Sequence, residues 1–516
     1  MKNFRSKDKK VLVSTLEWKE CHPGGIDCES DAYYARLATS LATTINSRVG
    51  REPGITQVAV KATAEDIASY LEDKVTGMNM WNAFISLYQE EYERAYPFYD
   101  EVKKTDLIAA EPNYPDVRFL LWRGLNRSNP ATLLNPRNEM IAALAEDIFN
   151  VIIEEYEVAP ESPELREWVF NEEYADDPEA VRSRCGWIVA RSYLFGIAKD
   201  METFEPIMQM FSLMFDENHY NLDVIGYASE VYFYMSVKCG PLKLLPSKWL
   251  ARMLQLNPNK DFQRLAPRVD AIETRELLPY KVISVDEESI TLMNIAGYEI
   301  VMSKNMFDDS ASAVAAGDTL SCASFFYNGE WQLNGVSLIS QEKNVDFNEM
   351  IATYKKQAAD AKETCEVLLE KNGNCPIGVA KDWTEFSTRF ALDKAQSKNF
   401  NGMEKTVKDA TKILYFINSD GNITILPLAA VVVKTADNPF YDVKRAERGS
   451  ASLLFDQQLT NEMRKYIIDH NLMPDARLTG PMDNDVAKKW FAENEKFLSS
   501  LLTTDEPVFN KPELAK

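Results

Sequence analysis

Leu278-Pro279-Tyr280-Lys281-Val282-Ile283-Ser284-Val285-Asp286-Glu287-Glu288-Ser289-Ile290-Thr291-Leu292 opens the one long passage, Leu278 to Ile339, whose hydrophobic rhythm is that of strands. Tyr280 to Val285 alternates in the period of two that puts one face of a strand inward. Asp286 to Glu288 is a polar turn, and Ile290-Thr291-Leu292 is a second strand. After Gly297, Tyr298 to Met302 is a third. Beyond the small-residue loop Ser310 to Ala316, Gly317-Asp318 leads into Thr319 to Tyr327. Asn328-Gly329 then predicts a tight hairpin, because both residues accept the positive φ of its turn, and Trp331 to Gly335 returns along the partner. Five short strands within some 60 residues fit a small closed barrel, since an open sheet of that size leaves its edges unprotected. Trp331 is the expected buried anchor.

The flanks are helical. Before the barrel, Asp31 is the expected cap of a helix carrying Tyr34, Leu37, Ala38, Leu41 and Ile45, which Arg51 to Gly54 breaks. Thr63 and Asp66 read as a capping box for Ile67, Tyr70, Leu71 and Val75. Trp81, Phe84, Ile85, Tyr88 and Tyr92 mark a helix that Pro97 ends. Further helices are expected near 115–125, 137–157, 178–198, 205–216, 225–239 and 247–256. Their apolar stripes require them to pack on one another. After the barrel, helix resumes over Phe347 to Lys371. Asp382 and Glu385 form a cap-like pair, and a β-hairpin is expected near 412–427. A short helix after Pro427 and helices over Val443–Phe455, Glu462–Asn471 and Asp485–Leu502 complete the chain, before a loose tail. The fold class is therefore α+β: predominantly α-helical, with a small central antiparallel β-barrel and a C-terminal region containing a β-hairpin. The expected domains are 1–270, 277–340 and 345–505.

A net charge of −22 repels phosphate backbones and disfavours nucleic acid as a partner. The dense basic run Lys2, Arg5, Lys7, Lys9 and Lys10 lies on a loose end and reads as a solvated tail. No apolar run is long enough for a membrane span or a signal-peptide core, and seven scattered cysteines do not form a disulfide framework, so the cytoplasm is the expected compartment.

The residues that could carry chemistry are few. Cys21-His22 with Cys28 offers three metal-capable side chains, one short of a structural zinc set. Packed thiols are the favoured reading, and neither a metal nor another cofactor is expected. His219 and His470 lie at helix ends, where an imidazolium complements the dipole. Glu154, Glu155, Glu157, Glu172, Glu173, Asp176 and Asp177 read as a solvated acidic rim, and Cys375 as a plain turn thiol. The tetrapeptide Pro-Phe-Tyr-Asp occurs at 97–100 and 439–442, and in both places the Asp is expected to cap a following helix above an aromatic staple. No nucleophile elbow, zinc-protease helix, Walker loop or dinucleotide fingerprint occurs.

Met80-Trp81-Asn82-Ala83-Phe84, both Pro-Phe-Tyr-Asp copies, Phe119-Leu120-Leu121-Trp122, Glu154 to Pro160, Gly329 to Gly335, Asp437-Asn438 and Leu472 to Ala476 span most of the chain in one order. Together they resemble an uncharacterised family from Bacteroidota, a domain of unknown function. The resemblance implies a cytoplasmic bacterial protein and no particular activity.

Three functions remain open. The favoured one is a non-catalytic binding or scaffold protein that contacts another protein, with Tyr280, Tyr298, Phe326 and Tyr327 of the barrel as contact residues. An unfamiliar hydrolase would need a deep site between barrel and helices with converging, pKa-shifted polar groups. Single-stranded RNA binding would use the barrel aromatics for stacking, but only Lys281 and Lys304 supply positive charge between 279 and 339.

Overall fold

A computed structural model describes residues 11–24, 26–50, 55–127, 134–171, 176–195, 208, 212, 222–307, 314–339, 346–390, 409–454, 456, 458–474 and 484–502. The helices are α1 Thr15–Lys19, α2 Asp31–Val49, α3 Gln57–Thr76, α4 Met80–Tyr92, α5 Tyr114–Arg127, α6 Glu139–Tyr156, α7 Pro163–Val169 and α8 Pro178–Arg191. Next come α9 Leu222–Ser236, α10 Pro246–Leu256 and α11 Lys260–Asp270. Strands β1 Glu273–Val285, β2 Ser289–Asn294, β3 Glu299–Ser303, β4 Thr319–Tyr327 and β5 Glu330–Ile339 close into a barrel in the order β1-β2-β3-β5-β4. Then follow α12 Phe347–Lys371, β6 Ile377–Asp382, α13 Trp383–Phe390, β7 Thr411–Ile417, β8 Ile423–Leu426, α14 Val443–Leu454, α15 Asn461–Asp469 and α16 Asn484–Leu502. The fold is α+β.

The barrel closes through antiparallel pairs and one parallel contact, Met302 opposite Trp331, between β3 and β5. Asn328 (φ 52°) and Gly329 (φ 88°) both take positive φ in the β4–β5 turn, as that dipeptide predicts. Tyr280, Val282, Ile290, Leu292, Ile300, Met302, Leu320 and Cys322 fill the interior. Alternate residues of β4, Ala323, Phe325 and Tyr327, point outward and join the core of the helical body. The C-terminal sheet, β6-β7-β8, repeats this arrangement. Ile413, Tyr415 and Ile417 pack under α13, while Leu414 and Phe416 face the main core. Burial on both faces explains the unbroken apolar run of β7.

The last helix returns to the first ones. Phe497 on α16 lies 4.9 Å from the Tyr88 ring and 5.3 Å from the Phe98 ring, inside the aromatic core built by Trp81, Phe84, Phe119 and Trp122. Edge and tilted contacts of this kind add to what area burial alone supplies.

Several expectations are corrected. Helix α3 starts at Gln57, capped by Thr56 Oγ1 accepting from the Ala59 N–H; Thr63 sits inside it and donates its hydroxyl to the Ala59 carbonyl. Helix α4 ends at a left-handed Glu93, before Pro97. Asp31 is the first helical residue of α2 and accepts from the Cys28 N–H at 3.1 Å. Helix α8 stops at Arg191, and α7, α11 and β6 are elements beyond those expected, although Phe262, Leu265, Ala266 and Val269 of α11 carry a helical spacing of three and four. Pro427 leads only into the 3-10 turn Ala429–Val431. Trp331 is half-buried, because it lies on the barrel rim beside the hairpin turn; the interior anchor is Tyr280. The basic run 2–10, Arg51 to Gly54, all of the expected 205–216 helix except 208 and 212, Glu172, Glu173, His219 and the C-terminal tail lie outside the described residues.

Candidate functional site

Helix α3 ends in Glu72-Asp73-Lys74, three consecutive charged residues that are all buried. Successive helical residues diverge by about 100°, so the three side chains reach in three directions. Gly77 (φ 74°) ends the helix in the left-handed conformation that a side chain resists, and the chain turns at once into α4.

Asp73 accepts from the N–H groups of Met80 (3.1 Å) and Trp81 (2.8 Å), two of the donors that the start of α4 leaves without helical partners. It also accepts from the Tyr193 hydroxyl at 2.7 Å. Burial pushes its carboxyl pKa upward against the pull of these donors. Lys74 donates to Asn82 Oδ1 (2.8 Å) and to the Ala109 carbonyl (3.0 Å) on the wall of a cavity of about 500 Å³. Burial depresses its pKa, opposed by Asp116 and Asp73. Asp116 in turn accepts from the hydroxyls of Tyr70 (2.6 Å) and Tyr96 (2.8 Å).

Glu72 faces the N-terminal loop. Its Oε2 lies 3.0 Å from His22 Nε2, and its Oε1 accepts from the Ser162 hydroxyl at 2.5 Å. On the other side of the imidazole, Nδ1 is 3.2 Å from Asp31 Oδ1. Cys28 completes a group in which one ligand-capable atom each from His22, Cys28 and Asp31 lie within 4.8 Å of one another, all three residues buried. Burial works against a charged imidazole, but the Glu72 charge and the contacts with Asp31 and Cys28 outweigh it and lift the His22 pKa to about 12.

The barrel residues separate into two pairs. Tyr280 is inside the barrel and Tyr327 is in the contact with the helical body, so neither presents a face to solvent. Tyr298 and Phe326 are half-buried at the end of the barrel where β1 begins. There the Arg275 guanidinium lies 5.1 Å from the Tyr298 ring and 5.0 Å from the Trp331 ring, and Phe326 lies 5.4 Å from Trp331. The two large cavities described, of about 660 and 500 Å³, are lined by residues outside the barrel. A carboxylate and a lysine with shifted pKa values, Asp73 and Lys74, lie in the helical body, while in the barrel burial raises the Tyr280 and Cys322 pKa values.

Other readings resolve individually. His470 caps α15 and stacks on Tyr466, consistent with a helix-end role. Glu154 and Glu157 are exposed, Glu155 accepts from the Tyr33 hydroxyl, and Asp177 caps α8. Cys375 sits in a turn beside Tyr466.

Residues 13–301 and 382–503 match a family described as "Protein of unknown function (DUF3843)". The chain belongs to this family. No curated protein and no solved structure matches it. The DUF3843 match takes in the whole buried polar seam together with Arg275 and Tyr298; Phe326 and Trp331 fall in the stretch it omits. Sequence reasoning missed the seam and Arg275. The available signals were three charges enclosed by Leu71 and Val75, and a Cys-x-x-Asp pair six residues after His22.

Proposed function

We propose that this DUF3843 protein is a cytoplasmic binding protein that contacts another protein through the aromatic rim of its barrel. The observation that carries the reading is Arg275 held between Tyr298 and Trp331, with Phe326 alongside. Aromatic residues and arginine are the side chains enriched where interfaces concentrate their binding energy. A cation stacked between rings is also already ordered, which lowers the entropic cost of docking. Seven free cysteines support a reducing compartment, and no described helix is long and apolar enough to cross a membrane.

RNA stacking on the same rings is disfavoured by the net charge of −22. A hydrolase site between barrel and helices lacks support, because neither large described cavity is lined by barrel residues.

The test is quantitative affinity purification of the tagged full chain beside a Tyr298→Ala/Trp331→Ala variant whose melting curve shows it folded. A partner recovered near stoichiometry with the wild type and at least tenfold depleted with the variant is the expected result. Equal recovery with both, or repeated isolation of the wild type alone, would overturn the reading.

A further inference from the structure

We propose that His22, Cys28 and Asp31 form a binding site for one divalent cation of the zinc class, with Glu72 positioning the imidazole from outside the coordination shell.

The ligand chemistry is the first support. An imidazole nitrogen, a thiol and a carboxylate make a borderline-soft donor set that suits Zn²⁺; Ca²⁺ and Mg²⁺ demand six or more oxygens, which three such side chains cannot supply. Geometry is the second. Bonds of ~2.0–2.3 Å in a tetrahedron set neighbouring ligand atoms ~3.3–3.6 Å apart. His22 Nδ1 and Asp31 Oδ1 are 3.2 Å apart, and the ligand-capable atom of Cys28 is within 4.8 Å of both.

A third observation is independent of the cluster itself. His22 Nδ1 and Asp31 Oδ1 are both fully enclosed, and neither has a hydrogen-bond partner among the described residues. His22 and Asp31 are 2% and 3% exposed. They stand as a charge pair 3.2 Å apart without hydrogen-bond alignment, and a cation shared between them would engage the same two enclosed atoms.

The surroundings match what a metal-bound histidine requires. Its remote nitrogen, Nε2, lies 3.0 Å from Glu72, the carboxylate that fixes tautomer and ring orientation in such sites. Glu72 is itself held by the Ser162 hydroxyl, and Ser162 Oγ lies 2.6 Å from Ser30 Oγ. The Cys28 N–H donates to Asp31 Oδ2, so both ligands are fixed at the start of α2, and Oδ1 is left for the cation. Three protein ligands leave a fourth position, and coordination would require the Cys28 thiol to release its proton to solvent.

The experiment uses the purified full chain. Elemental analysis should find about one zinc per chain. After chelation in denaturant and refolding with Co²⁺ as the probe, one equivalent should bind and give a thiolate-to-cobalt charge-transfer band that Zn²⁺ abolishes and Mg²⁺ does not. Cys28→Ser should lose that band while its circular dichroism stays native. Glu72→Gln should keep the band and bind Co²⁺ about 10–100-fold more weakly, as expected of a residue that acts through His22. A natively folded wild type that takes up no cobalt overturns the proposal, and so does a band that persists in Cys28→Ser. The barrel-rim reading stands or falls separately, since neither variant touches it.

Discussion

The end of α3 and the interior of the barrel both bury polar side chains, and they do so on opposite terms. In the helical body the buried carboxylates of the seam each join separate elements. Asp73 holds the start of α4 and Tyr193, Asp116 holds Tyr70 and Tyr96, and Glu72 holds His22 and Ser162. In the barrel, Tyr280 Oη, Asn294 Nδ2 and Ser324 Oγ are equally enclosed and cluster together, Ser324 and Asn294 pulling the Tyr280 pKa down against burial, yet none of the three atoms makes a well-aligned hydrogen bond among the described residues. A strand ladder already satisfies its backbone, so a polar side chain inside a barrel has few donors and acceptors within reach. Helices meeting at their ends expose free N–H groups that a buried carboxylate can accept. Buried polar groups therefore join separate elements at the end of α3, whereas in the barrel their well-formed bonds are local, as where Asn294 Oδ1 accepts from the Ala296 and Tyr298 N–H groups.

The comparison is most easily broken at Asp73. Asp73→Ala removes the acceptor of two α4 N–H groups and of the Tyr193 hydroxyl. Each buried group left unmade costs about 1–3 kcal/mol, and partial relaxation brings the expected total to about 3–5 kcal/mol. Urea unfolding followed by circular dichroism measures it. A loss below about 1 kcal/mol would mean that the seam does not organise the body.

Asp116→Asn is the milder version. The amide keeps one oxygen for the Tyr70 and Tyr96 hydroxyls but turns a donor toward the other, so about 1–2 kcal/mol should be lost. Thermal unfolding at fixed pH should show a lower midpoint, with a smaller shift than for Asp73→Ala.

What was legible in the sequence follows the same division. The barrel could be read because alternation and the Asn328-Gly329 turn are local signals. The β7–β8 hairpin, the Asp382/Glu385 cap and the helix Phe347–Lys371 were local too, and the structure has each of them. The seam was not legible, because a charged triplet on a helix reads as solvated until tertiary contacts enclose it. The two Pro-Phe-Tyr-Asp copies show how far context decides. Asp442 caps α14 through the Arg445 N–H at 3.1 Å, as its sequence suggests. Asp100 precedes no α-helix; it pairs instead with Arg94 and Arg137, while Phe98 takes φ 65° and lies fully buried in the aromatic core. Asp31 looks like a plain cap for the same reason: nothing in its own helix announces the His22 imidazole against it.

The smallest expected effect tests the barrel half of the comparison. Tyr280 is fully buried and its ring fills the interior, while its oxygen lies beside Ser324 and Asn294 without a well-aligned hydrogen bond. Tyr280→Phe keeps the ring and removes an atom whose desolvation Ser324 and Asn294 offset only weakly. Removing an unsatisfied buried hydroxyl is neutral or favourable, so stability should stay within about 0.5 kcal/mol of the wild type or rise by up to about 1 kcal/mol. Burial also pushes the Tyr280 phenol pKa up, so the wild-type residue stays neutral across the ordinary pH range and the substitution should leave the pH dependence of unfolding unchanged. A loss of about 1.5 kcal/mol or more in urea unfolding would mean that Tyr280 is engaged with Ser324 and Asn294 after all. In that case Tyr280→Phe/Ser324→Ala should cost less than the sum of its single substitutions, and the barrel would specify its fold through polar contacts as the seam does.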